Sequence, residues 1–381
     1  MLLNSNASRQ KSQMENHISI GIDQGATLWY ATILNHNTDK KSRYSFKGED
    51  KEAECYVKIK KLKESHQGTI SVCYEAGRSG FTPARVFEKL GCMVRVLPYN
   101  KIQIINTGKQ VKTDAVDSLF LAEIDPFDNS IPNVWVPSVR QEELRGIPRE
   151  QQRIQKDIQM NNNRIIAVLQ RWLVKNENKH LSAIDWEEKM LGWQNDKNFS
   201  KIIPILEFKK IKLIVEEIKL LEKHKEEWEQ IIKETEEEER VQAKIKGEEF
   251  FVDVLREYRG IGDVIARTFC FEIADFNRFG NGKKFSSYLG LTPTPFASGK
   301  MNKEQGISKQ GNPEIRRLAI QLAWLWMHWQ PDSFLTLKYK EQLNKKGRQR
   351  KTAIVAMGRQ LMVALYRRVV KGIDIEGAIK N

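Results

Sequence analysis

Cysteine and histidine are scarce in this chain of 381 residues, which has four cysteines and six histidines. The cysteines form no CxxC pair and the histidines are scattered, so the clustered ligands of a structural zinc site are missing. The cysteines are Cys55, Cys73, Cys92 and Cys270. Without a disulfide framework, we expect reduced thiols, as in intracellular proteins.

Long apolar runs are missing as well. The first 17 residues have no apolar core of signal-peptide length. The most apolar stretch, "LAIQLAWLWMHWQP" at 318–331, is too short and too interrupted to span a bilayer, and its three tryptophans are expected to lie in a protein core. We therefore expect a cytoplasmic protein with no membrane partner.

Positive charge is present in excess. The chain has 63 lysines and arginines against 49 aspartates and glutamates, a formal net charge of +14. Such an excess favours a polyanionic partner, and nucleic acid is favoured over a membrane surface.

The region 17–125 alternates between strand and helix patterns. "HISIGID" has the period of two that is typical of a half-buried strand, and two further strand patterns follow at hairpin distances. The strand patterns "TISVCYEAG" and "CMVRVLPY" then alternate with helical segments. Three strands joined as hairpins, followed by helix, strand, helix, strand and helix, predict a ribonuclease H-like α/β domain.

Acidic residues lie at the ends of these predicted elements. Asp23 ends the first strand and Glu75 ends the fourth, and in this topology those strands are parallel neighbours. The last helix, in "VKTDAVDSLFLAEI", carries Asp114 and Asp117 on one face. Four converging carboxylates repel one another unless cations neutralise them, so the pattern predicts a site for two Mg²⁺ ions. Taken singly, Asp23 also suits a turn, and the helical pair suits a first turn capped by Thr113.

From 141 to 247, apolar residues follow a heptad pattern in two runs. This spacing is typical of a coiled coil and predicts a long antiparallel helical hairpin. Pro148 leaves the start of the first helix open. The hairpin could be an intramolecular spacer or could also form an oligomer contact.

The C-terminal region, 248–381, is expected to be mainly helical. "YRGIGDVIARTFCFEI" resembles a helix-hairpin-helix element, in which Gly260 and Gly262 would let backbone amides contact phosphate, although a plain turn fits equally well. Lys309, Arg316 and Arg317 flank a Gly-Asn-Pro helix start, where a solvated basic face is the alternative. The candidate nucleic-acid contacts are Lys112, Gly260, Gly262, Lys309, Arg316 and Arg317.

An ordered set of motifs gives a more specific resemblance. "GID", "YEAG", "VKTDAVDSLFLA", "RGIG", "EIADFNRF", "YLGLTPTPFASG", "GISKQGN" and "RR" occur in this order over roughly residues 17–370. Together they resemble the DEDD-type insertion-sequence transposases, which join a RuvC-like domain through a coiled coil to a C-terminal transposase domain. The resemblance implies segments at 1–16 (disordered), 17–140 (RuvC-like), 141–247 (coiled coil) and 248–381 (C-terminal transposase domain).

The resemblance also implies a mechanism. It implies a site-specific DNA recombinase of prokaryotes, nucleoid-associated when acting, guided by a structured non-coding bridge RNA and assembled as a dimer or tetramer. Its metal-binding acids carry over to Asp23, Glu75, Asp114 and Asp117, with Mg²⁺ or Mn²⁺ bound, and its nucleophilic serine carries over to Ser298. Many relatives have two serines before the glycine, whereas this chain has Ala297, and Ser118 stands where alanine is usual.

Two other functions remain open on the sequence. A metal-dependent endonuclease of the Holliday-junction-resolving kind would use water and would need the four acids but not Ser298. A non-catalytic nucleic-acid scaffold would need only the basic surface.

Overall fold

The computed structural model describes residues 16–98, 113–128, 130–175, 179–196, 199–298, 301–344 and 349–381. It does not describe the side chains of residues 200–201, 294–298 and 301–305. The chain divides into two compact units, Met1–Ser138 and Val139–Asn381. The predicted disordered segment 1–16 lies outside the described residues except for Asn16, and the other predicted domain boundaries remain predictions.

A five-stranded mixed sheet forms the centre of the first unit. Its order is β3-β2-β1-β4-β5, with β1, β2 and β3 antiparallel and β1, β4 and β5 parallel. The strands are β1 (His17–Gln24), β2 (Leu28–Asn35), β3 (Lys40–Lys47), β4 (Thr69–Glu75) and β5 (Met93–Leu97). This mixed α/β arrangement is consistent with the predicted ribonuclease H-like fold.

Helices cover both faces of the sheet. The helices are α1 (Lys51–Ser65), α2 (Thr82–Lys89) and α3 (Asp114–Glu123). Ile20 and Ile22 of β1 lie in the core shared with α1 and α2. On the opposite face, Cys73 of β4 packs against Leu121 of α3. The period of two in β1 and β4 thus separates an apolar face under α1 and α2 from a face covered by α3.

Two long helices begin the second unit. Helix α4 (Val139–Arg171) and helix α7 (Ile205–Lys246) are connected through α5 (Ala183–Asn195) and the short α6 (Phe199–Ile202). The ion pairs Arg171–Glu207 and Arg164–Glu217 show that α4 and α7 run antiparallel. Helix α4 continues through Pro148, so the helix begins nine residues before the proline.

The remainder of the second unit is mainly helical. It contains α8 (Phe251–Arg256), α9 (Asp263–Ile273), a 3₁₀ turn (Asn277–Phe279), α10 (Gly282–Tyr288), strands β6 (Pro293–Ser298) and β7 (Met301–Ile307), α11 (Pro313–Trp329), α12 (Phe334–Leu343) and α13 (Arg350–Lys371). Trp326 is fully buried in its core, whereas Trp324 and Trp329 are about two-fifths exposed, so the prediction that all three are core residues was right only for Trp326.

Candidate active site

Asp23 and Glu75 are neighbours at one end of the sheet. Ile22 of β1 pairs with Tyr74 of β4 in parallel register, which places the next residue of each strand side by side. One pair earlier, Gly21 and Cys73 face helix α3. Because side chains alternate along a strand, Asp23 and Glu75 also point to the face that α3 covers. Both acids are half-buried.

Three contacts show the direction in which helix α3 runs. Thr113 caps it by accepting a hydrogen bond from the Val116 amide at 3.3 Å. The Ser118 hydroxyl lies 2.7 Å from the hydroxyl of Thr32, which pairs with Gly21 of β1. At the far end of the helix, Glu123 accepts from Lys41 of β3 at 3.0 Å.

Helix α3 therefore runs antiparallel to β1. Lys41 pairs with Leu34, which pairs with Ser19 near the start of β1, so the helix C-terminus lies over that start. The first turn, which carries Asp114 and Asp117, is consequently directed towards the end of β1 that carries Asp23. The structure places these acids at the same end and on the same face of the sheet as Glu75.

The donor set suits a hard divalent cation, because it consists of carboxylates alone. Burial raises the pKa of the neighbouring Cys73 thiol to about 12, so this thiol is protonated near neutral pH. In the part of the chain that the structure describes, however, no three Asp, Glu, His or Cys side chains are gathered closely enough to hold an ion. The four acids lie at one end and on one face of the sheet, but their side chains do not converge on a common point.

Ser298 lies in a two-stranded hairpin. It is the last residue of β6 and pairs with Met301, the first residue of β7, in antiparallel register. Its side chain and the residues 299–300 lie outside the described part of the structure. The serine is thus the last paired residue of β6, at the far end of a short two-stranded ribbon.

Known protein families match both the region that contains the four acids and the region that contains Ser298. A family model described as "Transposase", for the IS110-type DEDD group, matches residues 20–173, which include the four acids. A second model, "Transposase IS116/IS110/IS902 family", matches residues 252–337, which include Ser298. Together the two models span more than half of the chain. The chain belongs to the IS110-type family of DEDD transposases.

Individual relatives extend the similarity over nearly the whole length. The chain is similar to two Sinorhizobium fredii proteins named "Putative transposase", y4rJ and y4qE. It is 27% identical to y4rJ over 95% of this chain and 94% of that protein, and 23% identical to y4qE over 90% and 86%. It is 24% identical to "Transposase for insertion sequence element IS1533" of Leptospira borgpetersenii, over 82% and 86%.

This transposase is therefore an enzyme that cleaves and rejoins DNA, in a family that generally depends on divalent metal. Among the described residues, no helix is long and apolar enough to cross a membrane.

The basic residues near the start of helix α11 have partners within the protein. Arg316 donates to the backbone oxygen of Lys309 at 3.0 Å. Arg317 forms an ion pair with Glu314 at 3.1 Å and donates to Gln152 at 2.6 Å. Arg317 remains about half exposed, so part of its guanidinium faces solvent. Lys309 is exposed and adopts a left-handed backbone conformation, with φ of 54°.

The two glycines of "RGIG" differ in their surroundings. Gly260 has φ of +94°, and an added Cβ would lie 2.8 Å from Cβ of Trp329, so turn geometry and packing both require glycine there. Gly262 is exposed and lies at the N-cap of α9. The next residue, Asp263, pairs with Arg256 at 2.7 Å and places a negative charge where a phosphate would approach. Lys112 lies outside the described residues.

Two polar residues of this transposase, the buried Glu272 and the half-buried Asn312, could not be identified as partners from the sequence. Glu272 and Asn312 form a hydrogen bond at 2.7 Å although they are far apart in the chain. A signal was available for Glu272, which is a single acid within the apolar run "TFCFEI". Asn312, in the motif "GISKQGN", could be predicted as a helix cap but not as a partner of Glu272.

Proposed function

We propose that this transposase is a site-specific DNA recombinase with a metal-binding carboxylate cluster and a serine nucleophile, guided by a structured non-coding RNA. The cluster consists of Asp23, Glu75, Asp114 and Asp117, and the nucleophile is Ser298. One observation carries most of the proposal: the ends of β1 and β4 and the first turn of α3 lie at one end and on one face of the sheet.

The four carboxylates would hold Mg²⁺ or Mn²⁺. When bound, these ions supply Lewis-acid stabilisation of the phosphodiester oxygens. The protein's own contribution is to fix the ligands. The ends of two paired strands hold Asp23 and Glu75, and the bond between Ser118 and Thr32 anchors α3, which carries the other two acids.

The hydroxyl of Ser298 would attack phosphorus. A bond forms between its oxygen and phosphorus, and the bond from phosphorus to one deoxyribose oxygen breaks. The hydroxyl loses a proton and the departing oxygen gains one. The product is a serine–DNA phosphodiester, so a hydroxyl of a second strand can displace the serine and rejoin the DNA without another energy source.

We infer that α4 and α7 form an antiparallel coiled coil that also joins subunits into a dimer or tetramer. Ile211, Ile214 and Ile218 are buried on one side of α7. Leucines at a spacing of seven residues lie on another side and are 61–74% exposed; they are Leu206, Leu213 and Leu220. Replacing these three leucines with glutamine should reduce the mass measured by sedimentation, and an unchanged mass would place the contact elsewhere.

Nucleic-acid binding follows from the charge of +14 and from the family. We further propose that α8, the turn 257–262 and α9 act as a helix-hairpin-helix element, that Lys112 and Lys309 contact phosphate, and that the enzyme acts at the prokaryotic nucleoid. Guidance by RNA rests on the family resemblance. It predicts that a structured RNA encoded beside the gene competes better than a length-matched random RNA in a filter-binding assay.

The direct test of the proposal is trapping of the covalent intermediate. The wild-type protein, incubated with guide RNA, labelled duplex and Mg²⁺, should yield a protein–DNA adduct that survives denaturing electrophoresis. Cleavage that yields only free ends would instead support water as the nucleophile, as in a Holliday-junction-resolving nuclease.

A further inference from the structure

A buried carboxylate connects three separate segments of the second unit. The side chain of Glu272 in α9 is 1% exposed. Its oxygens accept from Nε and Nη2 of Arg149 in α4 at 2.5 and 2.8 Å. Oε2 also accepts from Nδ2 of Asn312 at 2.7 Å. Hydrogen bonds to an ionised group are short and strong, so this carboxylate is firmly held and in turn holds its donors.

Asn312 uses both ends of its amide group. Its oxygen accepts from the backbone amides of Glu314 and Ile315 at 2.9 and 3.3 Å, and so caps helix α11. Its nitrogen donates to Glu272. Since one end can only accept and the other can only donate, the two sets of contacts fix the orientation of the side chain.

Strands β6 and β7 form the serine hairpin, named for Ser298 at the end of β6. The loop that ends at Asn312 continues the pairing of this hairpin. Strands β6 and β7 pair from Ser298 back to Pro293, opposite Ile307. Beyond the strands, the Ser308 amide donates to the Thr292 oxygen at 2.9 Å.

Two further bonds follow along the loop. The Lys309 amide donates to the Gly290 oxygen at 3.1 Å, and the Asn312 amide donates to the Tyr288 oxygen at 3.3 Å. Asn312 is therefore at the base of the hairpin whose first strand ends in Ser298.

We propose that Glu272 is a positioning residue for strand cleavage. It holds Asn312, Asn312 holds the base of the hairpin, and the hairpin directs Ser298. This inference rests on the proposed role of Ser298 as nucleophile. A nucleophile must be placed accurately, and a misplacement of about 1 Å can lower a rate by roughly 10²-fold.

The variant Asn312→Ser tests the link without removing the cap. Serine is a good capping residue but has no amide that donates to Glu272. We expect the rate of adduct formation to fall by roughly 10- to 10²-fold, with DNA affinity within about twofold of wild type. The assay is a time course of the covalent adduct at saturating DNA, with the melting temperature measured alongside.

A reciprocal exchange provides a rescue. Glu272→Gln alone leaves three N–H donors, two from Arg149 and one from Asn312, facing one amide oxygen and should slow adduct formation. In the double variant Glu272→Gln with Asn312→Asp, the introduced amide can donate to the introduced carboxylate, so most of the rate should return. No recovery in a folded double variant would contradict the inference.

Glu236→Gln is the matched control. The Glu236 side chain is 9% exposed and is held by Arg267 at 2.6 Å and Arg256 at 2.8 Å, in helix α7 rather than beside Asn312 in the chain. Glu236→Gln should lower the melting temperature about as much as Glu272→Gln does. It should leave the rate of adduct formation by the folded protein unchanged. Equal slowing in Glu236→Gln and Glu272→Gln would show a role in stability alone.

Ser298→Ala distinguishes a wrong nucleophile from a wrong positioning role. If this variant still forms the adduct, the proposed nucleophile is wrong whatever Glu272 does. If it forms no adduct while Asn312→Ser reacts at the wild-type rate, the nucleophile stands and the positioning role of Glu272 is overturned.

Discussion

Gly21 of strand β1 lies directly under the backbone oxygen of Ser118 in helix α3, and an added Cβ would come within 2.0 Å of that oxygen. The helix therefore packs against the backbone of the sheet without an intervening side chain. This close approach holds the first turn of α3, with Asp114 and Asp117, near the end of the sheet at which β1 and β4 terminate.

We expect Gly21→Ala to destabilise the protein by about 1–3 kcal/mol, because the added methyl must displace the helix. Cleavage should fall as well, since the displaced helix carries two of the acids. Gly146→Ala is the control: an added Cβ there meets nothing within 4 Å, and alanine is the better helix former. Thermal unfolding of both variants gives the comparison, and wild-type melting of Gly21→Ala would contradict the close packing.

Substitution of the helical acids should separate cleavage from binding. Asp114→Asn and Asp117→Asn keep the shape of each side chain and remove its charge, so we expect strand cleavage to be lost while DNA affinity is retained. Chelation by EDTA should have the same effect on the wild type. Glu123→Gln, at the other end of α3, removes only an exposed pair with Lys41 and should remain active. Retained Mn²⁺ binding in the two aspartate variants would place the metal elsewhere.

The stability of the first unit should depend on pH through His17. This ring is fully buried, stacks on His36 at 5.1 Å and lies 3.0 Å from the Ser71 hydroxyl. Desolvation lowers the pKa of His17 from 6.5 to about 4, with the nearby His36 adding to the effect. Between these values the unfolded chain binds a proton that the folded one does not, so stability is present above pH 6.5 and falls towards pH 4.

Titration of His17 can change the free energy of unfolding by at most about 1.4 kcal/mol per pH unit. Urea unfolding from pH 7 to pH 4.5 measures it. His17→Gln should flatten the curve, and a substitution of the exposed His328 should not. A curve that His17→Gln leaves unchanged would assign the acid sensitivity to other groups.

Salt dependence tests the basic residues of helix α11. We expect Arg316→Gln combined with Arg317→Gln to lower the slope of log affinity against log salt by about 1–2 units, because fewer counterions are released. Arg240→Gln is the control, since Arg240 is already held by Asp253 and Glu237. An unchanged slope in the double variant would limit these arginines to their contacts with Glu314, Gln152 and the Lys309 backbone.

The sheet could be predicted because its order follows from local patterns. The period of two in "HISIGID" marks a strand, and hairpin spacing fixes the antiparallel neighbours. The approach of α3 to Gly21 could not be predicted, because no pattern around Gly21 indicates which residue will cross it. The exposure of Trp324 and Trp329 was missed for a related reason. The elements that pack against an apolar helix decide which of its faces is buried, and the helix sequence alone does not show them.

The serine hairpin was not predicted either, because the region 248–381 was expected to be mainly helical. Pro293 and Pro295 in "TPTPFASG" argue against a central strand, yet proline is tolerated in edge strands, and a two-stranded ribbon has only edges. The bond between Glu272 and Asn312 depends on tertiary packing. The sequence therefore offered candidate acids and a candidate serine, but neither the partnership of Glu272 with Asn312 nor the contacts that hold these elements.

The central claim is that Ser298 attacks DNA, and the most direct measurement compares wild type with Ser298→Ala. Each is incubated with guide RNA, Mg²⁺ and a labelled target duplex, then resolved by denaturing electrophoresis with and without nuclease. Alanine variants at Ser286, Ser287 and Ser308 serve as controls and should retain the adduct. We expect a nuclease-sensitive adduct from the wild type and none from Ser298→Ala, whose DNA affinity should be unchanged. Cleavage by Ser298→Ala at the wild-type rate, with free 5′ and 3′ ends, would show that water is the nucleophile.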